Sequence, residues 1–262
     1  MAGQVALSQA LSYARDLKSA YEAARLREEE LSQANERLRA GYQQSLQYAS
    51  DLKKTYRRLQ HAIFQSLLSL ANALEAKDPY TRGHSVRVAD LSRRLALAVG
   101  LTPAAADVVA QAGLLHDIGK IGVPESILRR PGPLTADEWE VMRRHPVTGA
   151  QIVAPLEFFD VGAVIVRHHH ERLDGSGYPD GLAGEAIPLG ARIVAVADVY
   201  DALTSARPYR PRLGRDVALD MLQREAGRTL DPGLVERFAE IAREDAPPGF
   251  AGHGHAAVER AV

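Results

Sequence analysis

The sequence contains no cysteine. Disulfides, thiolate metal sites and thiol nucleophiles are therefore excluded, and any metal must be held by imidazole and carboxylate. Long apolar runs are also missing: nothing approaches the ~18 residues that suggest a membrane span. The opening MAGQVALSQALSYARD lacks the basic-then-apolar layout of a signal peptide, so the chain is expected to be soluble and cytoplasmic. Its formal charge of −1 argues against a general nucleic-acid surface, because non-specific DNA affinity comes from neutralising many phosphates. No segment alternates like a sheet edge. Proline is absent before Pro79, and only Gly3 and Gly41 interrupt a helix-favouring composition up to that point. What remains is an all-α chain, with room for one domain of about 180 residues plus an appendage, or two small domains.

The first 61 residues read as a coiled-coil helix. With Leu17, Leu31, Leu38, Leu52 and Leu59 at heptad position d, position a receives Ala14, Tyr21, Tyr42, Ala49, Tyr56 and Ile63. Asn35 also falls at a, where one polar residue often fixes partner number. YARDLKSAY (13–21) recurs as YASDLKKTY (48–56), a whole number of heptads later. Glu28 at a and Ser45 at d are soft spots in the seam. The pattern predicts a parallel homodimer through 1–61; the alternative is one amphipathic helix folded back on the globular part.

Residues 62–245 carry several helix signals. Asp78 and Pro79 suit the start of one helix, and Gly100 suits its end. Thr102 with Pro103 opens a second, and Thr135 with Glu138 predicts a capping box. Helical patterns resume around 147–154 and 157–169, continue after a glycine-rich loop in LGARIVAVADVYDALTS, and end in a helix over 232–243. The last stretch, 246–262, reads as a disordered tail.

Histidines and acids stand on faces of these helices that ought to be buried. His84 continues the apolar stripe of Val88, Leu91 and Leu95; His116 faces the apolar side, with Asp117 beside it. His145 is expected to close its helix before Pro146, and His168, His169 and His170 to end another. Asp198 sits among Ala195, Val196, Ala197 and Val199, with Asp201 one turn on. Singly, each histidine is a satisfied core residue or a ligand. A buried carboxylate, however, needs a cation or several donors, and together the group points to metal.

HDIGKIG, the HP at 145–146, HHERLDGSGYP (169–179) and ADVYDALTSARPYR (197–210) resemble the HD-GYP family of metal-dependent phosphodiesterases. The resemblance spans about 62–245. It implies an all-helical HD-type bundle that hydrolyses cyclic di-GMP with two divalent ions, commonly iron or manganese; zinc, magnesium and nickel also suit such donors. It makes His84, His116, Asp117, His145, His169, His170 and Asp198 the ligands, with Asp117 bridging. Where some members carry a Glu for a third metal, this chain has Tyr80. His170 then either ligates or lines the site, and His168 is a neighbour with no counterpart in the motif.

A hydroxide shared by two ions is the expected nucleophile, attacking phosphorus in line. Lys120 is placed to meet a phosphate oxygen, or is a solvated loop lysine; Asp201 orients the water, or caps a helix. Arg207 and Arg210 match basic positions that contact the ligand's phosphates in the family. Glu171 is expected to fix a ligand ring, and Asp174, Gly175 and Gly177 to form a turn with positive φ. Tyr178 and Pro179 form a rigid lip near the substrate, or a plain turn. The expected product is pGpG, and then GMP if cleavage continues. Expected partners are cyclic di-GMP and a sensor or GGDEF-type protein. The alternatives are a non-catalytic cyclic-dinucleotide receptor or adaptor, and a phosphodiesterase for another cyclic dinucleotide.

Overall fold

The computed structural model describes residues 2–77, 83–205 and 212–244. They form ten α-helices: α1 (Ala2–Lys77), α2 (His84–Ala98), α3 (Pro103–Leu115), α4 (Glu125–Leu128), α5 (Ala136–Met142), α6 (His145–Val153), α7 (Asp160–His168), α8 (Leu189–Thr204), α9 (Arg215–Glu225) and α10 (Pro232–Glu244). Among the described residues there is no strand, only the isolated bridges Asp174–Ala183 and Ala226–Leu230. The all-α expectation therefore holds. No described helix is long and apolar enough to cross a membrane.

The chain divides into two units, one up to Leu59 and one from Gln60. The first is a helix whose leucines and tyrosines are exposed throughout: Leu17, Leu31, Leu38, Leu52 and Leu59 all face solvent. The second unit holds the core. There α2 packs on α3 and α8, α3 on α7, and α6 on α7, while α9 and α10 close against α8 and α2. Phe159, Phe238, Leu95, Leu115 and Ile193 are buried at its centre.

Local chemistry explains the helix starts. Thr102 accepts a hydrogen bond from the amide of Ala105, with Pro103 in the first turn of α3. Thr135 and Glu138 complete the expected capping box of α5. One expectation needs correction, and another falls on residues that are not described. His145 opens α6 rather than closing the helix before it, because Pro146 lies in the first turn, where its missing N–H costs nothing. The described part of α2 begins at His84, with Gly83 as its N-cap at φ 70°; Asp78 and Pro79 lie outside the described residues. So do Tyr80, Arg207, Arg210 and the stretch 246–262.

Candidate metal centre

Five helices deliver the seven expected ligands. His84 opens α2, His116 and Asp117 follow α3, His145 opens α6, His169 and His170 follow α7, and Asp198 lies within α8. Their donor atoms form two groups, each with all atoms within 4.8 Å of one another: Asp117, His145, His169 and His170, and His84, His116 and Asp198. Asp117 stands between the groups. Its Oδ1 lies 3.3 Å from His145 Nε2 and its Oδ2 3.5 Å from His116 Nε2. The rings of His116 and His169 meet edge to face at 5.1 Å.

The rings are held by a repeated device. His116 Nδ1 donates to Gly113 O, His145 Nδ1 to Met142 O and His169 Nδ1 to Val166 O, at 2.7, 2.8 and 2.7 Å. In each case the carbonyl is three residues back. A carbonyl only accepts, so Nδ1 must carry the proton and Nε2 keeps its lone pair for the centre. His84 is held by a carboxylate instead, its Nδ1 2.7 Å from Asp201 Oδ2, while its Nε2 lies 3.2 Å from Asp198 Oδ1.

Electrostatics divide the ligands by role. Burial pushes the pKa of His145 down to about 4 and that of His170 to about 3, helped by neighbouring imidazoles. Burial lowers His169 in the same direction. These rings are neutral and ready to ligate at ordinary pH. Burial also disfavours the charged form of His84, but its bonds to Asp198 and Asp201 outweigh that and raise it to about 10. Burial would raise Asp117, yet Lys120 and then His116 and His145 hold it well below the usual carboxylate range. Asp198 is likewise lowered, against its burial, by His84 and His116. The rings with free Nε2 atoms, around carboxylates kept anionic, fit divalent cations, and a cation beside Asp198 would displace the proton that His84 shares with that carboxylate.

The surrounding residues complete or revise the sequence reading. Lys120 Nζ is 2.6 Å from Asp117 Oδ2, placing an ammonium at the edge of the centre. Asp201 sits behind His84: its carboxylate accepts from Arg87 at 2.6 and 3.0 Å and from Ser205, as well as from the ring. That geometry steadies His84. Glu171 fixes no ring. Its carboxylate accepts from the amides of Asp180, Gly181 and Leu182 at 2.7, 3.1 and 3.0 Å, tying down the loop after Pro179. His168 turns away to Val164 O and Asp180.

The turn expectation is half corrected. Gly175 adopts φ 77°, with Asp174 accepting from the amide and hydroxyl of Ser176. Gly177 is not among the residues with positive φ; a Cβ there would stand 2.3 Å from Arg172 N, so space demands the glycine. Tyr178 lies 4.9 Å from the His170 ring, joined to Pro179 by a cis peptide. Burial, then the negative charge of Asp117, raises the phenol's pKa. Sequence reasoning missed Arg143, whose guanidinium lies 5.0 Å over the Tyr178 ring. The only available signal was its place two residues before His145.

The profile of the HD-domain family matches residues 69–234. The chain belongs to the HD-domain family. The matched span contains all seven donors of this HD domain. The chain is 48% identical over 174 residues to the cyclic di-GMP phosphodiesterase response regulator RpfG of Xanthomonas campestris, covering 66% of this chain and 46% of that protein. It is 37% identical over 222 residues to the 3′3′-cGAMP-specific phosphodiesterase 2 of Vibrio cholerae, covering 81% and 41%. Among solved structures, Bd1817, an HDG"Y"P protein from Bdellovibrio bacteriovorus, superposes with a TM-score of 0.51 at 25% identity over 61% of this chain and 51% of that one. The chain thus spans less than half the length of these two curated relatives.

Proposed function

We propose that this HD domain hydrolyses a phosphodiester bond of cyclic di-GMP to give linear pGpG, and then GMP if cleavage continues. The observation that carries this reading is the pair of donor groups with the two oxygens of Asp117 turned toward different groups. Divalent cations bound there, iron or manganese on this reading, would polarise phosphoryl oxygens and make a water acidic enough to serve as nucleophile. His84, His116 and Asp198 would hold one ion; His145, His169 and His170 the other; Asp117 would bridge.

The protein's own residues supply the rest. Lys120, beside Asp117, offers an ammonium to a phosphate oxygen. Arg143 adds a second cation over Tyr178, which is packed against His170 at the edge of the centre. Arg207 and Arg210 remain expected phosphate contacts. Asp201 and Arg87 hold His84 in register. A second copy of the chain is proposed to cover the exposed leucine stripe of 1–61, making a parallel homodimer. The compartment proposed is the cytoplasm, with a sensor or GGDEF-type protein as partner.

A second substrate is favoured by one finding: the match to a 3′3′-cGAMP-specific relative covers 81% of this chain. Both readings are tested by anaerobic assay of purified protein, with metal analysis, against a panel of cyclic dinucleotides. Cyclic di-GMP is expected to be cleaved fastest, and faster cleavage of 3′3′-cGAMP would transfer the assignment to that dinucleotide. His116→Ala and Asp117→Ala are expected to abolish both turnover and bound metal while preserving helical content. Turnover by metal-free protein would overturn the mechanism.

A further inference from the structure

Of the ligand-bearing helices, α2 has an unusual beginning. Its N-cap is Gly83, which has no side chain to satisfy the free amides of the first turn. The cap comes from another helix. Glu75, near the end of α1, accepts from the amide of Gly83 at 2.8 Å with Oε2 and from that of Ser85 at 2.9 Å with Oε1. His84 is the residue between those two amides. One carboxylate therefore grips the backbone on both sides of a metal ligand.

Glu75 is itself firmly placed. Phe64, Leu68 and Ala71 precede it at spacings of four, three and four along one face of α1, and all three are buried in the core. Phe64 meets Phe159 edge to face at 6.1 Å. The buried stripe thus ends in a carboxylate aimed at the positive end of α2, where an anion is favoured. Glu75 and Leu74 also line the pocket that Asp117 and Lys120 border. The His84 ring is fixed by Asp201, and its main chain by Glu75.

We propose that Glu75 is a positioning residue of the metal centre: by holding the amides around His84 it sets where that ligand stands. The proposal rests on the metal-hydrolase reading above, and deepens it by naming a control point outside the ligand set.

The test uses the full chain, stripped of metal and titrated with Mn²⁺, comparing wild type with Glu75→Ala, Glu75→Gln and the control Asn72→Ala. Wild type is expected to take up two ions. Glu75→Ala should weaken one of them by about 10- to 100-fold, the range for residues that orient metal ligands, and leave the other near its normal affinity. Glu75→Gln keeps one acceptor oxygen and should fall between. Asn72 is exposed on the same stretch of α1, so Asn72→Ala should match wild type. Amide exchange at residues 83–85 should quicken in step with the lost affinity. With cyclic di-GMP, kcat should fall while KM changes little.

Two ions bound at wild-type affinity by a folded Glu75→Ala would overturn the proposal. So would equal loss of both ions together with helical content in both Glu75 variants, since that describes a residue needed only for folding. Failure of the parent reading looks different: wild type itself would then bind no ion or cleave no dinucleotide.

Discussion

At the scale of single residues, the HD motif shows how packing and chemistry share a few positions. His116 and Asp117 are followed by Gly119, which is buried against α6. A Cβ on Gly119 would stand 1.9 Å from His145 O and 2.4 Å from Gly149 N. Only glycine lets the turn after α3 approach the first turn of α6 closely enough for Asp117 to face His145. Gly119→Ala should therefore destabilise the protein by about 1–3 kcal/mol, the usual cost of overpacking. It should also weaken metal uptake; urea titration and metal analysis check the two effects separately. An alanine variant with unchanged stability would show that the turn relaxes freely.

Asp180 illustrates a residue whose charge matters to the loop. Its carboxylate takes two bonds from Arg167 at 2.8 and 2.7 Å and one from His168 at 2.9 Å. The Arg167 bond, against a small burial cost and with help from His168, holds its pKa down to about 2. A depressed carboxylate contributes stability that is fully present above its unfolded value near 4 and is lost as pH falls toward 2. Both partners are about one third exposed, so the contribution is under about 1 kcal/mol. The urea midpoint of Asp180→Asn should trail wild type by a constant gap from pH 7 to about pH 5, and the gap should close at lower pH. A gap that is unchanged down to pH 3 would assign the effect to shape rather than charge.

At the scale of elements, legibility followed the range of the interaction. Caps at Thr102 and Thr135 were readable because both partners lie within three residues of one another. The candidate ligands were readable because imidazoles and acids stand out on apolar helix faces and fall in motifs that resemble those of the HD-GYP family. Glu171 was misread because its partners are amides 9 to 11 residues away, across a loop whose return the sequence does not display. Glu75 was invisible for the same reason, and α9 because only Ala218, Leu219 and Leu222 face its core. The leucine seam of α1 was readable as a period, and its exposure gives it an expected consequence. Leu38 is 71% exposed; Leu38→Arg would place a charge in the middle of the seam proposed to pair. Light scattering should then show the dimer proposed for wild type replaced by monomer at micromolar concentration. A wild type that is already monomeric would remove the seam's role in pairing.

At the scale of the whole molecule, the centre joins parts of the chain that are remote in sequence. His84 and Asp201 touch although they lie 117 residues apart. Ions that bind the folded form alone stabilise it by mass action, by about 4 kcal/mol at a thousandfold excess over the dissociation constant. Chelation should accordingly lower the melting temperature by several degrees, and Mn²⁺ should restore it. His169→Ala, which removes a buried donor, should shrink that difference. An unshifted melting curve on chelation would mean that the helices hold the site without help from its ions.

The spread of donors over five helices has one more consequence, for the order in which the protein matures. A ribosome-bound chain that stops before Asp198 has the donors of the four-residue group but an incomplete three-residue one. The missing helix, α8, also packs on α2, α3 and α7 and buries Ile193, Val194 and Val196 in the core, so it braces both groups as well as completing one. A nascent chain that lacks α8 would therefore hold neither half of the centre in shape, and the two halves would mature together.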